Sequence, residues 1–500
     1  MDQIEIMSTA CVLLGIDLGT SSVKVVLTDR VGTVLAQASA EYPVDRPHPG
    51  WAETDPEAWW RAIRTAVAQV LAAGPGVAPA GVGLSGQMHG VVVCLADATP
   101  ARPAVLWADS RAEDELDVYR ALPAAARARL ANPLSPGMAG PELAWLHRHE
   151  PRVMAGARWA LQPKDWIRAR LTGEFAAEPS DACATLLYDV TARTWDAEVV
   201  AALGIRPELL PELLPFSGVA AGSLLPSVAA ELGLPPGIPV SAGAGDSAAA
   251  ALGSGVLDPG TVQLTIGTGV QIVTVVEAPT LETVGHRHDP VTHLYRSATR
   301  DGWYAMAAGL TGGQSLDWVR RLLGAEWAEL YAAADRGPQD GDPIFLPHLV
   351  GERTPYLDTH LRGSWTGLDA RHDRTALLYS ALEGVAFAAA DGLDALPGVP
   401  DADRHLRLAG GGTVSPGWRA LLANALNAHL HAVDVPGASA RGAGLLAAQA
   451  AGWITDAELV EVARPHTTLI ASPGPGADAL RDRRRLYLDT LRALRPLRSR

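Results

Sequence analysis

The stretch "GIDLGTSSVKVVLTD", residues 15–29, decides the fold of this 500-residue chain. Two short apolar runs flank a turn of glycine, threonine and serine, which predicts a β-hairpin. Such a turn exposes successive backbone N–H groups that can hold a phosphate, and Lys24 adds a positive charge. The carboxylate of Asp17 suits a phosphate site only if a cation lies between the carboxylate and the phosphate. Mg²⁺ is commonly held in this way, through one or two carboxylates, water and phosphates. We predict a phosphate and magnesium site at this turn, with an ordinary hairpin as the alternative.

The same arrangement recurs in "GTVQLTIGTGVQIVTVV", residues 260–276, as strand, Gly-Thr-Gly turn and strand. Hairpins of one design at 12–28 and 261–276 indicate an internal duplication. Five hundred residues also exceed what one hydrophobic core usually supports. We therefore predict two α/β domains, 1–252 and 253–500, whose turns face each other and hold the β- and γ-phosphates of a nucleotide.

The composition argues against two classes of binding protein. The net charge is −14, with 48% hydrophobic and 19% charged residues, and lysine occurs only at 24 and 164. Proteins that bind nucleic acid or anionic membranes need a positive field, which this chain lacks. The basic C-terminal stretch "RDRRRLYLDTLRALRPLRSR" is predicted to be an amphipathic helix that packs its leucines, Leu486, Leu488, Leu491 and Leu494.

The cysteines and the N-terminal residues indicate the cellular compartment of the protein. Cys11, Cys94 and Cys183 are odd in number and lack metal-ligand spacing, which favours free thiols in a reducing compartment. The N-terminus has acidic residues where a secretory signal needs basic ones. No run reaches the roughly 18 apolar residues that span a bilayer. We expect a cytoplasmic protein.

A third glycine-rich stretch, "LAGGGTVSPGW" at 408–418, follows an apolar strand and precedes a helix. Three glycines there leave room for adenine or ribose against bare backbone, although a tight strand-to-helix turn would look the same. No G-x-x-x-x-G-K-[ST] occurs, which excludes the Walker type of phosphate loop, and no G-x-G-x-x-G follows the first strand.

Two further stretches carry side chains suited to catalysis and binding. Asp246 in "AGAGDSAAA", 242–250, lies where a strand meets a helix, and the helix dipole favours its ionised form. It is the best candidate for a general base, with a structural N-cap as the alternative. In "GLSGQMHG", 83–90, glycines flank Met88 and His89 and allow another chain segment or a ligand to approach closely.

The motifs together resemble the FGGY family of carbohydrate kinases, which have an actin-like, ribonuclease H-like fold, and within it most closely the xylulokinase branch. The resemblance covers nearly the whole chain and rests on a series of motifs in family order: "GIDLGTSSVK", "RPHPGWAETDPEAWW", "GQMHG", "PAVLWADSR", "PKDWIRARLTGEF", "GAGDSAAAALGSG", "GTG", "GERTPY" and "LAGGGTVSPGW".

The resemblance implies roles for individual residues. Asp246 matches the proton acceptor and Asp17 the acidic residue of the first phosphate loop, and Mg²⁺ is expected at these two carboxylates. The expected sugar-binding residues are Gln87, Met88, His89, Trp107, Asp246 and Ser247. The expected nucleotide-binding residues are Gly19, Thr20, Ser21, Lys24, Gly267, Thr268, Gly269, Gly313, Asp317, Gly411 and Ser415. Asp109 and Arg111 resemble the edge of the sugar pocket.

The sequence departs from the family pattern at three points. Ser247 stands where xylulokinases usually have asparagine, the second phosphate loop reads Gly-Thr-Gly instead of Gly-Thr-Ser, and Glu142 reverses the charge of a lysine at a surface or substrate-flank position. The first and third departures bear on the choice of sugar.

The expected function is ATP-dependent phosphorylation of a ketose hydroxyl, D-xylulose to D-xylulose 5-phosphate. Alternatives are another ketose or polyol, such as sedoheptulose or ribulose, a family member that senses sugar without catalysis, or a non-catalytic actin-like nucleotide-dependent binding protein. The expected partners are the sugar and ATP, with no nucleic acid and no membrane, and a homodimer is left open.

Overall fold

The computed structural model describes residues 12–400, 402–410, 415–433 and 435–497. It has the mixed α/β composition that the sequence predicts, with two large sheets, one in each half of the chain. The strands of the first half are β1 Val12–Leu18, β2 Ser22–Thr28, β3 Val34–Glu41, β4 Glu53–Thr54, β5 Pro79–Gly86, β6 Val92–Cys94, β7 Ala104–Val105, β8 Trp159–Leu161, β9 Ala176–Ala177, β10 Tyr188–Asp189, β11 Thr194–Trp195, β12 Glu212–Leu213, β13 Ala220–Ser223, β14 Pro239–Ser241 and β15 Ala244–Gly245. Those of the second half are β16 Val262–Ile266, β17 Val270–Val276, β18 His293–Arg296, β19 Trp303–Gly309, β20 Ile344–Leu346, β21 Ser364–Thr366, β22 Arg404–Ala409, β23 Ala428–Val433 and β24 Thr467–Ala471.

The two large sheets share one pairing pattern. The first has the order β13-β14-β5-β1-β2-β3, with β15 also paired to β5, and the second has the order β18-β19-β17-β16-β22-β23-β24. In the first sheet β1 is antiparallel to β2 and parallel to β5. In the second, β16 is antiparallel to β17 and parallel to β22. The duplication that the two hairpins predict is therefore present in the strand topology.

Helices connect and cover the strands. In the first half they are α1 Pro56–Ala73, α2 Leu116–Ala121, α3 Ala124–Leu130, α4 Ala139–His149, α5 Pro151–Gly156, α6 Pro163–Thr172, α7 Pro179–Ala182, α8 Ala197–Ala202, α9 Pro226–Leu232 and α10 Asp246–Gly253. In the second half they are α11 Leu281–Gly285, α12 Gly313–Leu322, α13 Trp327–Ala332, α14 Arg374–Asp394, α15 Pro416–Leu426, α16 Ala438–Ala450, α17 Asp456–Ala463 and α18 Ala477–Leu494. Short 3₁₀ turns lie at Glu113–Glu115, Pro207–Leu209, Ala333–Arg336 and Arg495–Leu497.

Helix α14 lies at the centre of the second half. Its buried residues pack in one hydrophobic cluster with β16, β17, β22 and the C-terminal helix α18. Among the described residues it is the one helix long and apolar enough to cross a membrane, but most of it is buried inside the protein. A core helix of this length meets the same criteria.

Helix α16 lies between β23 and β24 of the second sheet in sequence but packs on the first sheet. It lies against β1, β5 and α10. The contact is close because glycines face it: a Cβ on Gly83 would lie 1.8 Å from the carbonyl oxygen of Ala443, and one on Gly253 would lie 1.9 Å from that of Ala438. The predicted domain limits, 1–252 and 253–500, remain a prediction, and α16 links the two halves across them.

The C-terminal helix α18 packs by a different set of residues from the predicted one. Leu480, Tyr487 and Leu491 are buried, Leu488 and Leu494 are partly buried, and Leu486 is exposed. The predicted leucines do not all lie on one stripe of a 3.6-residue helix, so one of them faces solvent. Of the cysteines, Cys94 and Cys183 are buried free thiols, and Cys11 lies outside the described residues.

Candidate active site

The carboxyl ends of three neighbouring strands bring two aspartates together. Strand β5 pairs in parallel with β1 on one edge and with β15 on the other. Asp17 of β1 and Ala244 of β15 both lie opposite Ser85 of β5. Asp246 follows β15 directly as the first residue of α10. Because parallel strands lie about 4.8 Å apart, the two aspartates emerge at one edge of the sheet about two strand spacings apart.

Burial and mutual charge set the pKa values of these carboxylates. Burial raises the pKa of Asp17. Two contacts partly offset that rise: a hydrogen bond of 2.8 Å from the Ser85 hydroxyl and the positive charge of Lys24. Burial also raises the pKa of Asp246 to about 7, and the negative charge of Asp17 adds to that rise. Asp246 is therefore a carboxylate that takes up a proton near neutral pH.

Contacts from both halves of the chain hold Asp246 in place. Its Oδ1 accepts a hydrogen bond of 2.6 Å from the backbone N–H of Ser247. The Ser247 hydroxyl in turn accepts one of 3.1 Å from Nε2 of Gln271 on β17. The hydroxyl of Ser439 on α16 donates to the backbone carbonyl of Asp246 at 3.3 Å. The candidate base thus sits where the two halves meet, and the predicted sugar-binding Ser247 serves here to link it to the second half.

The first phosphate loop is a tight turn between β1 and β2. Gly19 donates its backbone N–H to the Ser22 carbonyl at 3.0 Å, and the Gly19 carbonyl accepts from the side chains of Tyr42 and Gln87. Thr20 is partly exposed and accepts a hydrogen bond of 2.9 Å from the Trp107 indole. Ser21 is exposed at the tip. These contacts fix the turn while leaving its tip open.

Lys24 lies directly opposite Asp17 in the β1–β2 register, so both side chains are on the same face of the sheet. Its ammonium also lies beside Gly437, because a Cβ there would be 3.4 Å from Nζ. The charge that the sequence assigns to phosphate binding is therefore close to the carboxylate of Asp17.

The second phosphate loop packs against the start of helix α12. The backbone N–H of Gly313 donates to the Gly267 carbonyl at 2.8 Å, and that of Gln314 to the Thr268 carbonyl at 3.0 Å. A Cβ on Gly269 would lie 2.3 Å from the Gly309 carbonyl oxygen, so the loop tolerates only glycine there. Gly267 and Thr268 are exposed. The loop and the N-terminus of a ten-residue helix form one surface, where the helix dipole favours an anion.

The remaining predicted nucleotide residues fall in three places. Gly410, at the end of β22, packs on the carbonyl of Ile266, next to the second phosphate loop, whereas Gly411 lies outside the described residues. Ser415 caps helix α15, its hydroxyl accepting from the N–H of Trp418 at 3.5 Å. Asp317 on α12 is paired with two arginines of its own helix, Arg320 and Arg321. Their roles in nucleotide binding remain predictions.

Met88 and His89 follow β5 and lie beside the strand ends that carry Asp17 and Asp246. Met88 is buried and packs against Gly245, where a Cβ would lie 2.7 Å from its Cγ. The flanking glycines are explained by protein packing: a Cβ on Gly86 would lie 2.9 Å from that of Lys164, and one on Gly90 would lie 2.6 Å from the Val105 carbonyl oxygen. Of the two explanations for these glycines, the close approach of another chain segment is the one observed.

The imidazole of His89 is held by one nitrogen. Its Nδ1 lies 2.8 Å from the Ala184 carbonyl oxygen and therefore donates to it, which leaves Nε2 as an acceptor. Burial and, to a smaller extent, the charge of Arg353 lower the pKa of His89 to about 4, against the raising effect of the hydrogen bond to Ala184. His89 is thus a neutral hydrogen-bond acceptor near neutral pH.

Three residues of the second half that the sequence motifs did not predict for the site surround His89. The rings of His293 and Tyr295 on β18 lie 6.4 and 6.2 Å from its ring centre. Arg353 lies over the ring of Trp107, 5.5 Å from its centre, and burial lowers its pKa. Within the described residues no carboxylate comes within ion-pair distance of its guanidinium. Arg353 belongs to the "GERTPY" motif, which is the signal that could have identified it.

Asp109 and Arg111, which were expected at the edge of the sugar pocket, have buried side chains that contact other protein groups. Asp109 and Arg111 pair with each other at 2.7 Å, and the Arg111 guanidinium also stacks 3.5 Å from the centre of the Trp51 ring. Glu142 was predicted at a surface or substrate-flank position, but it is fully buried on α4. Burial and the charge of Asp109 raise its pKa well above the usual range, so it is uncharged. The surface assignment was wrong because a protonated carboxyl can be enclosed at far lower cost than a charged one.

Comparisons with known proteins agree with this geometry. The family model described as the FGGY family of carbohydrate kinases, N-terminal domain, matches residues 12–253, and the C-terminal domain of the same family matches 262–451. The xylulose kinase of Escherichia coli (strain K12) is 36% identical over 82% of this chain and 84% of its own length.

Solved structures give the same result. A xyloylose kinase from Brucella ovis superimposes with a TM-score of 0.89 and 36% identity, covering 97% of this chain and 100% of its own. The xylulose kinase from Rhodospirillum rubrum has a TM-score of 0.88 and 30% identity, covering 98% of this chain and 100% of its own.

Proposed function

Because the chain belongs to the FGGY family of carbohydrate kinases, we propose that it transfers the γ-phosphoryl group of ATP to a hydroxyl of D-xylulose, giving D-xylulose 5-phosphate. The names of its relatives support the choice of sugar. One observation carries the proposal: Asp246 lies where the two halves meet, and burial there raises the pKa of its carboxyl group to about 7.

Asp246 acts as the general base. The sugar oxygen forms the new bond to the γ-phosphorus, the bond from that phosphorus to the β–γ bridging oxygen breaks, and the hydroxyl proton moves to Asp246. A base whose pKa lies near the working pH is efficient, because it is ionised and still accepts a proton readily. Such a base contributes roughly 10²- to 10⁴-fold in rate. The short contact with the Ser247 N–H orients the carboxylate and leaves its other oxygen for the sugar.

The two aspartates fit a magnesium ion. Within the described residues Asp17 accepts one hydrogen bond, from Ser85, and burial and the nearby Asp17 charge make Asp246 costly to ionise. A divalent cation offsets both penalties, and carboxylates with water and phosphate oxygens are its usual ligands. Asp17 and Asp246 would hold the ion, which supplies positive charge for the phosphates of ATP. Lys24, opposite Asp17, adds a second positive charge at this edge of the sheet.

The phosphate loops and Arg353 stabilise the charge of the transferring group. Phosphoryl transfer depends mainly on positioning and on neutralising charge. The loop at 267–269 lies at the N-terminus of α12, where the helix dipole favours an anion, while the N–H groups of Gly313 and Gln314 hold the loop in place by donating to its carbonyls. The Arg353 guanidinium, buried near His89 without an ion-pair partner in the described part of the chain, is available to an anion in the same space.

His89 and Met88 bind the sugar. With Nδ1 donating to Ala184, Nε2 of His89 accepts a hydrogen bond from a sugar hydroxyl. Met88 supplies an apolar wall next to Gly245, one residue before the base. Trp107, held by its indole N–H on Thr20, joins the sugar pocket to the first phosphate loop.

The proposal also includes a cellular location and a division into domains. The buried free thiols of Cys94 and Cys183 support a cytoplasmic location, where thiols stay reduced. The division into a sugar-binding domain, 1–252, and a nucleotide domain, 253–500, belongs to this proposal.

A coupled ADP-release assay tests the function. We expect D-xylulose to give the highest kcat/KM among D-xylulose, D-ribulose, L-ribulose, sedoheptulose, xylitol and glycerol. Asp246→Asn should lose at least 10²-fold in kcat with nucleotide binding intact, and the exposed control Asp97→Asn should keep full activity. A higher kcat/KM for another sugar would overturn the substrate, and full activity in Asp246→Asn would overturn the mechanism.

A further inference from the structure

A cluster of histidines lies on the second sheet, outside the active site. His405 on β22 and His429 on β23 are directly opposite each other in a parallel pair, and His431 lies two residues along β23 on the same face. Asp403 immediately precedes β22. Side chains one strand apart and in register are close enough to share one ligand.

Three donor atoms of this cluster have the spacing of metal ligands. Oδ1 of Asp403 lies 3.4 Å from Nε2 of His405 and 3.6 Å from Nε2 of His429. One ligand atom from each residue lies within 4.8 Å of the others. Two ligands held about 2.1 Å from a tetrahedral zinc ion lie about 3.4 Å apart. The three side chains are therefore already close to the arrangement that an ion requires.

The far nitrogens of both histidines are held by hydrogen-bond partners. Nδ1 of His405 lies 3.0 Å from Nε2 of His431, and Nδ1 of His429 lies 3.0 Å from the Ser472 hydroxyl. If each Nδ1 carries the proton, both Nε2 lone pairs point toward Asp403. Metal-binding histidines almost always have such a partner on the other nitrogen, which fixes the tautomer and the ring orientation.

We propose that Asp403, His405 and His429 bind a borderline divalent transition-metal ion, Zn²⁺ in the first place, with His431 and Ser472 as positioning residues. Two imidazoles and one carboxylate suit zinc, cobalt or nickel better than magnesium, which prefers oxygen ligands only. The side chains of Asp403 and His405 are 81% and 55% exposed, so solvent can supply the fourth ligand.

The site is separate from the catalytic one. His405 lies near the amino end of β22, whereas the predicted nucleotide loop follows the carboxyl end at Ala409. Four residues of extended strand span about 13 Å. A bound ion would join the connection before β22 to β23 and stabilise the second sheet without contact with the phosphate loops.

Metal binding to untagged, metal-stripped protein, measured by equilibrium dialysis with ZnCl₂ in the absence of nucleotide, tests the proposal. We expect the wild-type chain to hold one more zinc ion than the His405→Gln/His429→Gln double variant. His466→Gln, which changes an exposed histidine outside the cluster, should bind as the wild type does. His431→Leu should keep the stoichiometry but weaken the affinity about tenfold or more, as loss of an orienting partner does.

A second measurement does not depend on the double variant being folded. Zinc should raise the Tm of the wild-type protein and should fail to raise it in the single variant His405→Gln, which changes a largely exposed side chain. Equal zinc stoichiometry in the wild type and the double variant, or an equal rise in Tm in the wild type and His405→Gln, would overturn the proposal.

Discussion

Asp17 and Asp246 emerge from strands β1 and β15, which pair with opposite edges of β5, and the charge of Asp17 helps to raise the pKa of Asp246. The first half of the chain thus supplies both carboxylates. The second half reaches the base through Gln271, which donates to the Ser247 hydroxyl. In the proposed mechanism the base, Asp246, is costly to ionise, and both the pH dependence of the rate and that of stability depend on that cost.

The first prediction concerns pH. Because Asp246 must be ionised to accept a proton and has a pKa of about 7 in the metal-free protein, kcat/KM for the sugar should fall on the acid side of neutral pH. The midpoint should lie below about 7, because Mg²⁺ favours the ionised carboxylate. Steady-state rates from about pH 5.5 to about pH 9 measure this. The residual activity of Asp246→Asn should lack the acid limb. A flat wild-type profile down to about pH 5.5 would contradict the assignment.

The second prediction concerns stability. The folded state binds the Asp246 proton more tightly than the unfolded state, whose pKa is near 3.8. The destabilisation by this carboxylate is therefore absent well below about pH 3.8, small near pH 4, and complete above about pH 7. Asp246→Asn should raise the free energy of unfolding of the ligand-free protein by up to about 4 kcal/mol at pH 8, less where solvent screens the charge.

Thermal unfolding of Asp246→Asn and wild type at about pH 4, 6 and 8 measures that gain. Asp97→Asn is the control, since the pKa of Asp97 is lowered by hydrogen bonds from Thr99 and it gains nothing from losing its charge. A gain that is the same at all three pH values would exclude ionisation as its cause.

The third prediction concerns His89. Its backbone φ is 76°, and asparagine tolerates this region while keeping a donor for the Ala184 carbonyl. His89→Asn should raise the KM for the sugar at least about tenfold, because the shorter side chain removes the acceptor Nε2, and should leave the KM for ATP within about twofold. His360→Asn, at an exposed histidine, is the control. Equal changes in both KM values would argue against a sugar contact.

The fourth prediction concerns Arg353. Its guanidinium lies over the Trp107 ring, and its positive charge acts on His89. Arg353→Met should lower kcat by about 10²-fold or more if the guanidinium stabilises the transferring charge. Arg353→Lys should recover part of that loss, and Arg371→Met, at an exposed arginine, should lose none. A loss below about fivefold in Arg353→Met would remove the residue from the mechanism.

The fifth prediction concerns the packing of α16 on the first sheet. A methyl group at Gly83 would overlap the Ala443 carbonyl, so Gly83→Ala should reduce the free energy of unfolding by about 3 kcal/mol. Gly156→Ala, where a Cβ meets open space, should cost nothing. Denaturant unfolding of the two variants and the wild type provides the measurement. If Gly83→Ala is as stable as Gly156→Ala, the close contact between Gly83 and α16 does not contribute to stability.

Local patterns were enough to identify much of the fold and the site. The Gly-Thr hairpins predict strands β1, β2, β16 and β17, and their repetition predicts the shared topology. Asp followed by Pro is also a typical helix start, and at α1 the Asp55 side chain accepts a hydrogen bond from the N–H of Glu57. The motif around Asp246 likewise predicts a strand followed by a helix, and Asp246 is the first residue of α10. These features depend on residues within a few positions of one another, so a sequence carries them directly.

Only the tertiary structure decided which distant segments meet. The return of α16 to the first sheet, the burial of Glu142, the approach of Arg353 to Trp107 and the joining of His405 to His429 are contacts between residues far apart in the chain. A pKa near 7 at Asp246 likewise depends on desolvation and on the charge of a residue 229 positions away. Desolvation and charge interactions are properties of the packed neighbourhood, which side-chain identity alone does not define.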